Sequence, residues 1–420
     1  MSFSSLGLSP SLQRAVSAKA YLTPTPVQLE AIPAILQGRD VLGSAQTGSG
    51  KTAAFALPLL QQLEQAPPES LRRIRALILV PTRELCTQVG EEFRSLAAHL
   101  PRALKVSIVF GGVSINPQMM RLRGGSDIVV ATPGRLLDLV QHNALSLSEV
   151  KALVLDEADR LLDLGFSEEL ARILTLLPKQ RQNLFFSATF PPAVQTLAQT
   201  LLRDPVRVEV VPAPQSAPDI VQRAIAVDAG RRTQLLRHLI GQHHWSRVLV
   251  FVATKHAAEM VADKLRKARI YAEPFHGELS QGKRTQVLAD FKASRLKVVI
   301  ATDVAARGLD IAQLPVVVNF DLPRSAVDYT HRIGRTGRAG ERGVAVSFVS
   351  ADTEAHFRLI EKRQNLSLAL EQVEGFEPQQ TAPTPLPALD GSPIDPSTGG
   401  VKGTRPSKKD KLRAAAARGQ

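Results

Sequence analysis

The sequence predicts an α/β protein built from two parallel sheets that helices cover on both sides. Short runs of β-branched and aliphatic residues alternate with helix-favouring segments, and several runs are apolar at every position. Strands that are buried on both faces, as in parallel sheets, show this continuous pattern. The runs form two series, separated by residues 211–218, which contain three prolines and no apolar period. That composition is typical of an extended linker and predicts a boundary between two domains.

The strands of the first series are expected at 40–43, 76–80, 105–110, 127–131, 152–155 and 183–186, and those of the second at 247–252, 297–301, 316–320 and 343–348. The predicted division comprises an N-terminal segment (1–30), a first domain (31–210), the linker (211–218), a second domain (219–374) and a tail (375–420). The tail is rich in Pro, Thr, Ser and Gly and then in basic residues, so it is expected to be disordered.

The bulk composition narrows the class of protein. With 420 residues, of which 44% are hydrophobic and 22% charged, the chain can bury more than one core. Its single cysteine, Cys86, excludes an intramolecular disulfide and a cysteine-based metal site, and it indicates a reducing compartment. No stretch is apolar for long enough to span a bilayer. We therefore expect a cytoplasmic protein, and we expect any metal ion to arrive with a bound ligand.

The charge balance points to a polyanionic partner. The net charge is +13 and the pI is near 10.1, which most simply indicates nucleic acid. Residues 401–420 hold seven basic residues and one acidic residue, so the rest of the chain is only mildly basic. This basic end is either an electrostatic tether for nucleic acid or a solubilising, tolerated end.

The segment 44–52, SAQTGSGKT, lies between an apolar run and a helix-favouring run and has the features of a P-loop. Gly48 and Gly50 permit backbone conformations that turn consecutive N–H groups toward an anion, and the following helix adds the positive end of its dipole. Lys51 can then reach the outer phosphates of a nucleotide, and Thr52 can ligate Mg²⁺. Ala45 stands where the strict pattern requires glycine, and a glycine-rich turn that binds nothing is the alternative. The expected nucleotide-binding residues here are Ala45, Gln46, Thr47, Gly48, Ser49, Gly50, Lys51 and Thr52.

An acidic group follows the apolar run 152–155 directly and comprises Asp156, Glu157 and Asp159. Carboxylates at the carboxyl end of a parallel strand face the crevice in which α/β sheets bind ligands. We expect Asp156 to hold Mg²⁺ through water, and Glu157 to orient and deprotonate an attacking water. A solvated helix start would have the same composition, but the position after a buried strand and downstream of a P-loop favours the catalytic role.

Twelve short segments follow one another up to about residue 375: 24–28 (PTPVQ), 45–52 (AQTGSGKT), 81–85 (PTREL), 111–112 (GG), 132–135 (TPGR), 156–159 (DEAD), 187–189 (SAT), 250–252 (VFV), 276–277 (HG) with Gln281 and Arg284, 302–303 (TD), 306–310 (ARGLD) and 331–338 (HRIGRTGR). Taken in this order, they resemble the segments of the DEAD-box family of ATP-dependent RNA helicases. The resemblance implies two tandem RecA-like domains, ATP and Mg²⁺ as cofactors and RNA as partner. Alanine is usual in this family at the position of Ala45. The stretch GGVSIN at 111–116 looks most like the bacterial branch of ribosomal-RNA helicases.

The resemblance also implies contacts to the base and sugar of ATP. Gln28, whose amide both donates and accepts, is expected to read the adenine edge, and Phe3 is expected to pack beside it. Phe3 could equally cap a core. Asp310 resembles the family's ribose contact, although a negative charge at a helix N-terminus would look the same.

The last matching segment supplies cations from the second domain. By resemblance, Arg335 and Arg338 are arginine fingers that complete the γ-phosphate site, and His331 belongs to the same segment. Arginine suits this role because its charge is permanent and its planar fork can contact two phosphate oxygens. The alternative is a Gly/Arg-rich loop that merely touches nucleic acid.

Two hydroxyls near the end of the first domain are expected to link ATP to unwinding. Ser187 and Thr189 follow the run 183–186, and by resemblance they bond Asp159 when the site assembles. A helix cap would be the structural alternative.

The candidate RNA contacts are hydroxyls, glycine N–H groups and arginines, which read phosphate and sugar and predict salt-sensitive, sequence-independent binding. They are Pro81, Thr82, Arg83, Gly112, Thr132, Gly134 and Arg135 in the first domain and Thr254, Gln281, Arg284 and Thr302 in the second. The preference for RNA over DNA comes from the resemblance alone.

The sequence thus predicts an ATP-dependent RNA helicase that closes two domains around ATP and RNA, acting in ribosome assembly or RNA turnover. Three rivals remain: an ATP-gated RNA clamp with little unwinding, a DNA helicase of the wider superfamily, and a P-loop kinase. A kinase would leave the second α/β domain unexplained.

Overall fold

The computed structural model describes residues 2–44, 48–67, 71–209, 220–306, 314–337 and 342–380. Several of the predictions above fall outside these residues: the linker 211–218, the basic end of the tail, part of the P-loop, Asp310 and Arg338. Within the described part, the predicted α/β architecture of two parallel sheets is confirmed.

The first sheet contains strands β1 (Val41–Ser44), β2 (Ala76–Leu79), β3 (Val106–Val109), β4 (Ile128–Ala131), β5 (Ala152–Leu155), β6 (Gln182–Ser187) and β7 (Val206–Glu209). The second contains β8 (Ile220–Ala226), β9 (Val248–Val252), β10 (Ala272–Phe275), β11 (Val298–Thr302), β12 (Val316–Asn319), β13 (Gly343–Val349) and β14 (Leu370–Glu371). Their spatial orders are β3-β4-β2-β5-β6-β1-β7 and β10-β11-β9-β12-β13-β8-β14, and the strands pair in parallel. The two orders are identical once the second set is renumbered from one.

The helices are α1 (Pro10–Ala18), α2 (Pro26–Leu36), α3 (Lys51–Gln65), α4 (Arg83–Ala97), α5 (Asn116–Leu122), α6 (Pro133–Gln141), α7 (Ala158–Asp163), α8 (Ser167–Leu176), α9 (Pro192–Leu201), α10 (Arg232–Gln242), α11 (Lys255–Lys267), α12 (Gln281–Lys292), α13 (Asp303–Ala306), α14 (Ala326–Ile333) and α15 (Glu354–Gln364). Short 3-10 turns occupy Phe3–Leu6 and Ala229–Arg231.

Both faces of each sheet are buried, as the continuous apolar runs indicate. In β6, the consecutive residues Phe185 and Phe186 enter different cores, because neighbouring side chains of a strand point to opposite faces. In β9, Val250 and Phe251 likewise enter different cores on opposite faces of the second sheet. Helices on each face therefore cover strands that have no polar side, which is the reason the central strands are readable in the sequence.

Four strands were not predicted, namely β7, β8, β10 and β14. Strands β7, β10 and β14 are sheet edges, and β8 lies next to the β14 edge. Edge strands are partly exposed and so lack a continuous apolar run; β7 alternates between buried and exposed positions, and β10 contains Pro274. Because these strands carry polar or exposed residues, a continuous apolar run does not reveal them in the sequence.

The N-terminal segment is packed onto the first sheet. Gln61 of α3 donates to the carbonyl of Gly7 at 2.9 Å and accepts from the N–H of Ser9 at 2.7 Å. Phe3 is buried in the same core as α3, and its ring lies 6.5 Å from that of Tyr21. Among the described residues, no helix is long and apolar enough to cross a membrane.

Candidate active site

All strands of a parallel sheet end at the same edge, and the predicted nucleotide residues gather at that edge of the first sheet. The P-loop follows β1, the acidic group follows β5, and Ser187 is the last residue of β6. Since β5, β6 and β1 are consecutive in the sheet, these three segments lie side by side.

The described part of the P-loop has the backbone that its glycines predict. Gly48 and Gly50 have φ values of 83° and 88°, in the left-handed region that favours glycine. Gly50 is also sterically required, because a Cβ atom there would lie 2.6 Å from Nε2 of Gln28 and 2.9 Å from Oγ1 of Thr25. Lys51, buried at the start of α3, follows at once. Ala45, Gln46 and Thr47 lie outside the described residues.

Gln28 connects the N-terminal segment to the P-loop. Its Oε1 accepts from the N–H of Thr25 at 2.9 Å, which forms a capping box on α2, and its Nε2 donates to the carbonyl of Gly50 at 3.1 Å. Both ends of the amide thus already have a protein partner. Phe3, the expected companion of Gln28, is a core residue stacked on Tyr21.

The two carboxylates after β5 are buried and differ in their partners. Burial raises the pKa of Asp156 to about 6, and nearby Lys51 offsets only part of this rise. Glu157 forms an ion pair with Arg160 of α7 at 2.9 Å, and both side chains are only 5% exposed. Glu157 also adopts φ 52° and ψ 51°, a left-handed conformation unusual for a residue with a side chain. Such local strain is often found where a side chain must be held in one direction.

Asp159 meets both of the hydroxyls predicted for it. Oγ1 of Thr189 donates to Asp159 Oδ2 at 2.8 Å, and the N–H of Thr189 reaches the same oxygen at 3.0 Å. Oγ of Ser187 accepts from the N–H of Asp159 at 3.2 Å. The end of β6 is therefore tied to the start of α7, two elements that are 28 residues apart in the chain.

Residues from the second sheet complete one small cavity with residues from the first. Arg160 lines this cavity of about 20 Å³ together with His331, Arg332 and Arg335 of the second sheet. Burial, together with the positive charge of Arg160, lowers the pKa of His331 to about 4. His331 is therefore neutral at physiological pH. The structure thus brings Arg335 and His331 toward the acidic group, whereas Arg338 and Asp310 lie outside the described residues.

Arg332 was overlooked in the sequence, although it lies in the matched segment. Its guanidinium contacts both carboxylate oxygens of Asp303, at 2.6 and 2.7 Å, and also donates to Asn319 and to the carbonyl of Asp321. It also lies over the ring of Phe251, 4.9 Å from its centroid. This buried arginine joins α14 to the ends of three strands, and so fixes the helix that carries His331 and leads to Arg335. No local pattern distinguishes it from its arginine neighbours.

The candidate RNA threonines occupy matching places in the two sheets. Thr82 follows β2 and caps α4, accepting from the N–H of Leu85 at 3.3 Å; Thr254 follows β9 and caps α11, accepting from Ala257 at 3.1 Å. Thr132 follows β4, and Thr302 ends β11, the strand equivalent to β4. The hydroxyls of Thr82 and Thr254 therefore cap helices as well as being candidate RNA contacts.

The candidate arginines contact protein groups. Arg83 lies against Gly112, where a Cβ atom would be 1.7 Å from its guanidinium. Arg135 is buried and donates to the carbonyl of Val113 at 2.7 Å. The remaining candidates differ in surroundings: Pro81 is buried, Gly134 has open space beside it, and Oε1 of Gln281 is buried without a hydrogen-bond partner among the described residues.

Arg284 forms an ion pair that bridges the two sheets. Its Nε lies 2.8 Å from Oε1 of Glu84 on α4, and the two side chains are 6% and 8% exposed. The N–H does not point at that oxygen, so the attraction is that of two close charges without hydrogen-bond geometry. Burial lowers the pKa of Arg284, while Glu84 opposes this change. The sequence placed Glu84 in a matched segment but gave no reason to pair it with residue 284.

A P-loop, a carboxylate pair after the central strand and arginines brought from a second sheet define a two-domain nucleoside triphosphatase. Residues 25–197 match the family model described as DEAD/DEAH box helicase, and residues 231–340 match that described as helicase conserved C-terminal domain. The chain therefore belongs to the DEAD-box family of ATP-dependent RNA helicases, enzymes that hydrolyse ATP.

Named relatives and a solved structure agree. The chain is 40% identical over 360 residues to the DEAD-box ATP-dependent RNA helicase CshA of Bacillus cereus. This alignment covers 86% of this chain and 67% of the relative. It is 42% identical over 378 residues to the ATP-dependent rRNA helicase rrp3 of Emericella nidulans, covering 90% and 80%. The structure of S. cerevisiae Dbp5 bound to RNA and ADP BeF3 is similar with a TM-score of 0.78 at 31% identity, covering 89% of this chain and 96% of that one.

Proposed function

We propose that the chain remodels ribosomal or messenger RNA during ribosome assembly or RNA turnover, by opening short duplexes locally and without sequence preference. The observation that carries the mechanism is the cavity shared by Arg160 of the first sheet and His331 and Arg335 of the second. A site divided in this way is complete only when the two domains are together. ATP hydrolysis is therefore coupled to domain closure.

The proposed catalytic roles follow from burial and charge. Glu157 orients the attacking water and takes its proton, because it lies in the crevice at the end of β5 and its carboxylate is held by Arg160. Arg335 stabilises the charge on the transferred phosphoryl group, and Arg338 is proposed to act with it. Lys51 contacts the outer phosphates. Neutral His331 serves as a donor or acceptor near this group rather than as a further cation.

The residues fit a nucleotide-borne Mg²⁺. Mg²⁺ prefers oxygen ligands and usually binds through one or two protein groups together with phosphates and water. Asp156 is a buried carboxylate; burial raises its pKa, and the charge of Lys51 offsets only part of this rise. We propose that Asp156 and Thr52 hold the ion, which would supply positive charge that neutralises the phosphates. The remaining P-loop residues and Gln28 bind the nucleotide, with Asp310 at the ribose.

RNA is proposed to run across the carboxyl ends of both sheets. The paired threonines Thr82 with Thr254, and Thr132 with Thr302, offer hydroxyls at equivalent places, as expected for one backbone contacted by two similar domains. Such contacts read phosphate and sugar, so binding should weaken as salt rises. The Asp159 contacts to Ser187 and Thr189 are proposed to transmit the state of the ATP site to this surface.

The proposed division of the chain retains the boundaries 30, 210, 218 and 374, with a cytoplasmic location. Limited proteolysis tests the division, because a protease that cuts first within 211–218 would release two stable fragments.

The decisive experiment is steady-state ATPase activity without nucleic acid, with single-stranded RNA and with DNA of the same sequence, each at low and moderate salt. RNA should stimulate hydrolysis strongly and DNA should not. Glu157→Gln should lower the stimulated rate by about 10²- to 10⁴-fold, the usual contribution of a general base, while ATP still binds. Equal stimulation by DNA would contradict the proposal.

Strand displacement separates unwinding from clamping. An RNA helicase releases the shorter strand of a duplex when ATP is added. An ATP-gated clamp would hold the RNA and release nothing.

A further inference from the structure

The amino-terminal ends of the strands in the second sheet lie opposite the active site, and an exposed aromatic side chain lies there among cations. Tyr271 directly precedes β10, and its side chain is 75% exposed, which is unusual for a residue of this size. Neither the nucleotide site nor the candidate RNA contacts include this residue.

The strand register places two cations beside it. Ala272, Val298 and Val248 are aligned across β10, β11 and β9. The residues just before them are Tyr271, Lys297 and Arg247, and backbone hydrogen bonds join them: Lys297 N–H to Tyr271 at 3.1 Å, and Val248 N–H to Lys297 at 2.9 Å. Because neighbouring strands lie about 4.8 Å apart, the three residues form one row about 10 Å long. We call Tyr271, Lys297 and Arg247 the basic row.

The three side chains of the basic row leave the same face of the sheet. Ala272, Val298 and Val248 enter one core, so the preceding residues point to the opposite face, which α12 covers with Val287 and Phe291. The row lies at the margin of that face, beyond the apolar contacts of α12. In the part of the chain that the structure describes, Lys297 and Arg247 make no ion pair with a carboxylate.

The nearest carboxylates do not cancel this charge. Glu273, two residues after Tyr271 on the same face, contacts Lys283 at 3.0 Å and Arg266 at 3.9 Å. Asp290, at the end of α12, accepts from Gln286 and pairs with Arg295 at 2.7 Å, and these two contacts lower the pKa of its carboxyl group. Basic residues also compensate the negative ends of α11 and α12, but that role needs no exposed aromatic ring.

We propose that the basic row is an additional binding site for single-stranded RNA, in which a base stacks on Tyr271 while Lys297 and Arg247 contact flanking phosphates. Aromatic rings set in a positively charged surface are the usual means of holding unpaired bases. Strand β10 lies at the edge of its sheet. An RNA strand that passes Gln281 at the carboxyl end of the sheet can therefore follow β10 to Tyr271 without crossing the sheet. The path is roughly 17 Å long, about five residues of extended strand. This inference rests on the proposed RNA path across the carboxyl ends of the strands.

The test compares two RNA lengths in the full chain with a non-hydrolysable ATP analogue. A single strand of roughly 6 nucleotides fills the site at the carboxyl ends, whereas one of roughly 30 nucleotides also reaches the row. Tyr271→Ala should weaken binding of the long strand roughly 5- to 150-fold, the loss expected for one stacked base, and leave the short strand unchanged. Tyr271→Phe should bind like the wild type. Leu359→Ala, which truncates another exposed apolar residue, on α15, is the matched control.

Charge gives an independent readout. Lys297→Gln should reduce the slope of log affinity against log salt by about one for the long strand only. If Tyr271→Ala and Lys297→Gln bind the long strand like the wild type, the proposal is wrong and the row is better explained as a protein-docking surface. Equal losses for both lengths would also overturn it. If short RNA fails to stimulate the wild-type ATPase, the proposed function fails instead, so the two failures are distinguishable.

Discussion

The two sheets have the same strand order but opposite chemistry at their carboxyl ends. Asp156 follows β5 directly, and Phe320, a buried aromatic residue, follows the equivalent strand β12. One position further, Glu157 pairs with Arg160 at the shared cavity, while Asp321 is held by Arg232 at 2.8 Å and by the N–H of Ala253 at 2.8 Å. The same topology therefore presents the acidic group proposed for catalysis in one sheet and a structural ion pair in the other.

Most of the basic residues that line the shared cavity come from the second domain. The connection between β12 and β13 contains α14 and leads through His331 and Arg332 to Arg335. The equivalent connection between β5 and β6 contains α7 and α8 and contributes Arg160 to the same cavity. The fold repeats, whereas the charged residues at the shared cavity differ between the repeats, which is why function has to be argued from the site.

The largest effect should come from the cation that the second sheet supplies. Arg335→Ala should lower the RNA-stimulated turnover number about 10³- to 10⁵-fold, the usual contribution of an arginine finger, with ATP binding retained. Nucleotide binding and single-turnover hydrolysis measure the two quantities separately. Arg335→Lys keeps the charge but not the planar fork, and should recover only part of the loss. A variant that loses ATP affinity at an unchanged rate would show that Arg335 binds substrate without acting in the reaction.

Arg332 should affect stability more than chemistry. Arg332→Met leaves Asp303 without its bidentate partner, and breaking a buried ion pair usually costs about 3–5 kcal/mol in the free energy of unfolding. Denaturant unfolding followed by the fluorescence of Trp245, which is in the second domain's core, measures this. Lys267→Met is the control, since it removes an exposed pair with Asp263 and should cost less than about 1 kcal/mol. Equal losses in the two variants would contradict a supporting role for Arg332.

The ion pair between Glu84 and Arg284 tests the contact between the two sheets. Glu84→Gln should raise the RNA concentration that half-saturates the ATPase about ten- to a hundredfold, within the usual range of coupling energies, and leave the saturated rate nearly unchanged. Glu91→Gln, at an exposed position on the same helix, should have little effect. The exchange of charges in the double variant Glu84→Arg, Arg284→Glu should recover part of the affinity. No recovery, together with a loss of thermal stability, would mean that the pair serves folding rather than closure.

His331 gives the smallest and most specific prediction. Its pKa is lowered from 6.5 to about 4 in the folded protein, so the folded state binds this proton less tightly than the unfolded state. The stabilisation is fully present above pH 6.5 and is lost as the pH falls toward 4. Relative to His331→Asn, the wild type should lose roughly 2 kcal/mol of unfolding free energy between pH 7 and 5. Denaturant titrations at several pH values measure this difference, with the exposed His244→Asn as control. Parallel pH profiles of wild type and His331→Asn would contradict the assignment.

The sequence by itself determined the α/β class, the two series of buried strands and the order of the segments that match the helicase family. Strands such as β5 and β9 are readable because both faces are buried, so every position is apolar. The P-loop is readable because its backbone needs glycine at particular positions. At Gly50, for example, a Cβ atom would lie too close to the side chain of Gln28. These features depend on residues that are close together in the chain, and local composition records them directly.

Only the tertiary structure decided which distant residues meet. It paired Glu84 with Arg284, anchored Arg332 on Asp303, brought Arg335 to the cavity lined by Arg160, and aligned Tyr271 with Lys297 and Arg247. It also showed that Gln28 and Arg135 donate to the backbone carbonyls of Gly50 and Val113, contacts that the sequence does not indicate. The physical reason is that hydrophobic periodicity reports how deeply a segment is buried, whereas the choice of a charged or hydrogen-bonding partner depends on the register and packing of elements far apart in sequence.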